Sequence, residues 1–173
     1  MPYLYVLAAI VLRLAPHPWN VTPLGTMFLF SGATFRSRRD ALLVPLAALL
    51  LSDYAVIHFL YQGRFRWFSP FTWGAFLLVG LLGWTLRKKI TVARVAGVSL
   101  AGSVIFFLVS NFGTWLMQDL YPKTFAGLAA CYVAALPFFR NTIFGDLFYA
   151  AVMFGSYYWL SQRRWAAREH RAA

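Results

Sequence analysis

Apolar residues in this chain do not alternate with polar ones. They run in long stretches broken by turn residues or by charge, and six such segments stand out. The first is Pro2 to Leu14, closed by Pro16 and Pro18. The second runs from about Thr22 to Phe35 and ends at Arg36, Arg38 and Arg39. The third is Ala41 to Tyr61, and the fourth is Phe68 to Leu86, ending at Arg87, Lys88 and Lys89. The fifth is Val95 to Met117, and the sixth is Thr142 to Leu160, followed by Gln162, Arg163 and Arg164. Segments three to six reach or approach the roughly 20 residues that cross a bilayer as a helix, whereas one and two are short. A further apolar stretch, Phe125 to Leu136, is bounded by Pro122 and Pro137. At about a dozen residues it predicts a short interfacial or re-entrant helix rather than a span.

Composition strengthens this pattern. Of 173 residues, 61% are hydrophobic and only 12% charged. So little charge cannot cover a water-soluble globule, so the expectation is an all-α integral membrane protein with six transmembrane helices. Residues 1–161 form one polytopic domain and residues 162–173 a basic tail. The net charge of +11 would point to nucleic acid in a soluble chain. Here the basic residues fall in short blocks between apolar runs, which excludes nucleic acid and reads as membrane topology. With both termini in the cytoplasm, Arg36–Arg39, Arg87–Arg94 and the tail from Arg163 onward lie inside. Arg13, Arg64, Arg66, Lys123 and Arg140 are left on or near the outer side. A seventh span at 125–136 would put the basic tail outside. The first segment has no basic residue before it and is expected to be retained rather than cleaved.

Polar groups at depth in a membrane must be paired or wet, so they carry the functional candidates. Asp53 and His58 lie in the third segment, Asn111 and Trp115 in the fifth, and Arg140, Asn141 and Asp146 open the sixth. The outer loops add Asn20 and Trp67, then Tyr121, Lys123, Thr124, Cys131 and Tyr132. Asn111, Arg140, Asn141 and Asp53 are expected to form the polar floor of a solute site. Trp115, Tyr121, Lys123 and Tyr132 would form its wall and lid. No HExxH, GxSxG, CxxC, P-loop or DxDxDG pattern is present, so the chain is not expected to be an enzyme or to hold a resident cofactor or metal. Two other classes stay open. One is a membrane enzyme acting on a lipid or cofactor through Cys131, His58 or Asp146, and the other is a structural subunit of a membrane complex.

The order of motifs carries a resemblance. Asn20-Val21-Thr22-Pro23-Leu24-Gly25 is followed by Leu51-Ser52-Asp53 and Ser110-Asn111-Phe112-Gly113-Thr114-Trp115. Then come Tyr121-Pro122-Lys123-Thr124, Cys131-Tyr132, Pro137-Phe138-Phe139-Arg140-Asn141-Thr142 and Gly145-Asp146. Together these resemble a family of small bacterial inner-membrane proteins described as transport proteins. That family is similar to the substrate-binding S components of energy-coupling-factor vitamin transporters. The resemblance implies six helices, cytoplasmic termini and a pocket closed by outer loops. It also implies a vitamin-like or cofactor-precursor solute taken up from outside. An energy-coupling membrane subunit with ATPases is the implied partner beside the lipid bilayer. Such docking uses small residues four apart on the first helix. This chain departs from that, because Ala8 is followed by Leu12 and Ala9 by Arg13. Some solitary relatives of S components carry cobalamin and ligate its cobalt through cysteine. Cys131 and His58 make cobalamin one implied solute.

Overall fold

The computed structural model describes residues 2–15, 20–60 and 69–172, and among these every regular element is helical. The helices are α1 (Pro2–Leu14), α2 (Leu24–Thr34), α3 (Asp40–Ala55), α4 (Pro70–Gly83), α5 (Val92–Met117) and α6 (Phe125–Ala172). A π-helical turn, Val56–Leu60, extends α3, and a 3₁₀ turn, Trp84–Leu86, extends α4. Helix starts follow local chemistry. Ser69 accepts from the Thr72 amide with Pro70 just inside the helix, and Thr91 accepts from the Arg94 amide. Thr124 accepts from the Gly127 amide at 3.1 Å and opens α6.

Among the described residues, three stretches are long and apolar enough to cross a membrane: Asp40–Phe59, Val92–Met117 and Phe125–Arg163. Their outer faces leave Leu43, Leu51, Leu108, Val133, Phe144 and Phe148 exposed. Apolar side chains displayed on that scale need a non-aqueous surrounding.

The short helix α2 is the centre. It touches all five other helices. Met27, Phe28, Leu29 and Phe30 are all fully buried, as expected of a helix that is apolar all round. Phe28 stacks on Phe76 of α4 at 5.4 Å, and Phe30 meets the Phe154 edge at 5.2 Å. Glycines let α2 and α4 touch backbone to backbone. A Cβ on Gly32 would stand 2.1 Å from the Gly80 carbonyl oxygen. The carboxyl end of α2 is closed by Arg87, which donates to the carbonyls of Gly32 at 2.8 Å and Phe35 at 2.9 Å. A guanidinium there satisfies orphan acceptors and the negative end of the helix dipole.

The structure corrects one expectation. Phe125 to Leu136 is not a separate interfacial or re-entrant helix. It is continuous with the sixth segment in α6, and Pro137 lies inside that helix. Proline removes a single hydrogen bond and crowds the preceding turn, which is a cost that packing can override. Here α5 supplies the packing. The Tyr132 hydroxyl donates to the Leu108 carbonyl at 2.7 Å, and Cys131 Sγ to the Asn111 carbonyl at 3.6 Å. The basic tail is likewise helical, because α6 continues to Ala172.

Candidate functional site

A cavity of about 410 Å³ lies within the bundle, and all six helices or their ends contribute to its wall. It takes Arg13 from the end of α1, Leu24 and Gly25 from the start of α2, and Leu49 and Asp53 from α3. Thr72, Trp73 and Phe76 come from the start of α4, Gly102 and Phe106 from α5, and Thr142 and Asp146 from α6. The strands of chain that carry these residues place the cavity at the end of the bundle away from the basic loops 36–39 and 87–94. It lies beyond the first turn of α2.

The first polar group ties three helices. Arg13 reaches from α1 to α3, where Nη1 donates to Ser52 Oγ and Nη2 to Asp53 Oδ1. The other carboxylate oxygen, Oδ2, accepts from Trp73 Nε1 of α4 at 3.0 Å. Ser52 Oγ in turn donates to the Leu49 carbonyl at 2.8 Å. The side chains of Arg13 and Asp53 are 16% and 21% exposed, so the pair is screened from the surroundings yet reaches the cavity. Charge-assisted bonds of this kind are the strong ones, and each carboxylate oxygen has a donor.

The second polar group is Asp146, 7% exposed. Its Oδ2 accepts from Ser103 of α5 at 2.6 Å, and its backbone carbonyl accepts from Thr26 of α2 at 3.0 Å. Ser103 Oγ also lies 3.2 Å from the Ser99 carbonyl. One hydroxyl hydrogen stands between two acceptors. It can serve a carboxylate, or pass to Ser99 while a protonated carboxyl donates to Ser103. Two glycines make room for this group. A Cβ on Gly25 would sit 2.4 Å from Asp146 Oδ1, and one on Gly145 would meet the Val21 backbone at 3.1 Å. The carboxyl group is therefore pressed against the first turn of α2.

Of the residues expected at the site, Asn20, Asp53 and Asp146 line this cavity. Asn20 holds a left-handed backbone, φ 61°, in the turn that leads to α2, a conformation asparagine tolerates better than most residues. His58 sits on the π turn, exposed and stacked on Tyr54 at 5.5 Å. Trp67 lies outside the described residues.

The remaining candidates gather instead at the α5–α6 corner or farther along α6. Asn111 Nδ2 donates to its own helix at the Phe107 carbonyl, 2.8 Å away. Trp115 Nε1 donates to the Pro122 carbonyl at 2.9 Å, and Lys123 Nζ to the Gln118 carbonyl at 2.6 Å. With Thr124, Cys131 and Tyr132 these bonds fasten the hairpin, and Tyr121 lies in its turn. Arg140 is exposed on α6, and Asn141 is half-buried beside it. Neither lines the cavity, nor do Cys131 and His58, the pair that cobalt ligation would use. Among the described residues, no group of three or more His, Cys, Asp or Glu stands close enough together to hold a metal ion.

Sequence reasoning missed Arg13, Ser52, Trp73 and Ser103 as site residues. Arg13 had a signal, being the lone charge of an apolar segment. Ser52 had one in its adjacency to Asp53. Nothing in the pattern singled out Trp73 among seven tryptophans.

A family model described as a family of unknown function (DUF6580) matches residues 1–168. No curated protein and no solved structure matches the chain.

Proposed function

The chain belongs to the DUF6580 family along nearly its whole length, and we propose that it is a multi-pass membrane protein that binds a small solute from the outer side for uptake. The observation that carries this reading is the cavity shared by all six helices. A volume of about 410 Å³ falls in the range of sites for small organic molecules. Its wall is mainly apolar, with a few placed polar groups, as such sites are. The side follows from charge. Basic loops favour the cytoplasm, so the cavity at the opposite end faces outward. In this reading all six helices cross, the three short ones packed with the three long ones, in the manner of an energy-coupling-factor S component. The solute is a vitamin-like compound or cofactor precursor, passed on with the help of an energy-coupling subunit and its ATPases. The host membrane is the bacterial inner membrane.

The test is a thermal-shift panel of vitamins and precursors on the purified protein, since a ligand that binds only the folded state raises the unfolding midpoint. One compound is expected to raise it. Gly102→Leu, which places a side chain at the cavity wall, is expected to lose the shift. Tyr132→Phe, at the α5–α6 corner, is expected to keep it. A shift that survives in Gly102→Leu removes the cavity from the mechanism.

A further inference from the structure

The charges around the cavity bear on which solutes it can take. Among the described lining residues there is one guanidinium, Arg13, and there are two carboxyl groups, Asp53 and Asp146. Arg13 is held by Asp53. Asp146 has only the Ser103 hydroxyl as a side-chain partner among the described residues, and it is buried. A hydroxyl does not neutralise a carboxylate, and a carboxylate at depth needs a cation or a proton. The first turn of α2 offers roughly half a positive charge at Gly25, which favours the ionised form without cancelling it. Trp73, Phe76 and Phe106 stand around the same space, with Phe76 and Phe106 paired at 4.7 Å. Aromatic faces attract a desolvated cation within about 6 Å.

From these groups we infer that the solute is a small organic cation, its positively charged nitrogen group paired with Asp146 and faced by the rings of Trp73, Phe76 and Phe106. The inference rests on the solute-binding reading of this cavity and narrows it. An anionic solute would have to take Arg13 from Asp53 and would face the Asp146 carboxylate as well. A bare metal ion would want several oxygen ligands around it, and the wall is chiefly apolar.

Benzyltrimethylammonium and its uncharged carbon isostere, neopentylbenzene, differ in charge and hardly in shape. Isothermal titration calorimetry of each against the purified full chain separates the two effects. The cation is expected to bind saturably and about tenfold or more tighter than the isostere. Asp146→Asn is expected to weaken the cation by about tenfold or more and leave the isostere unchanged. Phe106→Leu, which removes a ring face without touching the carboxyl group, should weaken the cation more than the isostere. It decides the matter if Asp146→Asn does not fold. Equal binding of the two compounds overturns the inference. So does equal cation binding by wild type and Asp146→Asn, which would mean a carboxyl that keeps its proton, with Ser103 donating to Ser99. Absence of binding by both compounds also overturns it. The broader reading is judged separately. A neutral or anionic solute that stabilises the wild type and not Gly102→Leu would leave the cavity functional and the cation excluded.

Discussion

At the scale of single residues, the Arg13–Asp53 pair is the most consequential contact. Removing one partner takes the opposite charge away from a pair that the fold has taken out of water. Asp53→Asn is expected to lower stability by about 2 kcal/mol, read as a drop in the thermal midpoint of the purified protein. Gly25→Ala is a second case. Its Cβ would press on Asp146 Oδ1, so the variant is expected to bind solute poorly in the thermal-shift panel even where it still folds. Asp53 and Asp146 were legible in the sequence because a carboxylate in an apolar segment is costly and so has a reason to be there. Asn111, Cys131 and Tyr132 looked equally suspicious and turn out to have ordinary partners, since a helix offers its own carbonyls to any donor within reach. Composition cannot tell these cases apart. Only the neighbouring helix decides whether a polar side chain meets a backbone carbonyl or an open space. Trp73 was illegible for the same reason, as its role depends on Asp53 arriving from α3.

At the scale of elements, apolar segment lengths located the helices well, and Pro2–Leu14 coincides with α1. Pro137 misled because a proline's cost is local while the packing that outweighs it comes from α5. Pro137→Ala restores a backbone donor in α6 and is expected to raise stability by about 1 kcal/mol without changing solute binding. Both are measurable in one thermal-shift series with and without ligand. The α2–α4 contact makes the opposite prediction. Gly32→Ala would force apart two backbones that meet at the Gly80 carbonyl, and is expected to destabilise by 2 kcal/mol or more, on the order of an overpacked core. A midpoint unchanged in Gly32→Ala would mean that the two helices can slide apart freely.

At the scale of the whole molecule, the proposed function has all six helices crossing the bilayer, with the basic loops and both termini on the cytoplasmic side. A fluorescent protein fused after Ala173 is expected to be bright and an alkaline phosphatase fused there inactive, with the reverse for an insertion at the loop after Met117. An active phosphatase at the carboxyl terminus would invert the molecule and turn its cavity toward the cytoplasm. In that arrangement the cavity goes with a mismatch of lengths. Helix α2 has 11 residues and reaches about 16 Å, while the hydrocarbon layer is about 30 Å thick. It sits among its neighbours like a piston stopped partway along a cylinder. The headspace above it is what a solute would occupy, and one turn added or removed at the start of α2 would change the depth by about 5.4 Å. A relative could thus be retuned to a larger or smaller cargo by the stroke of one helix.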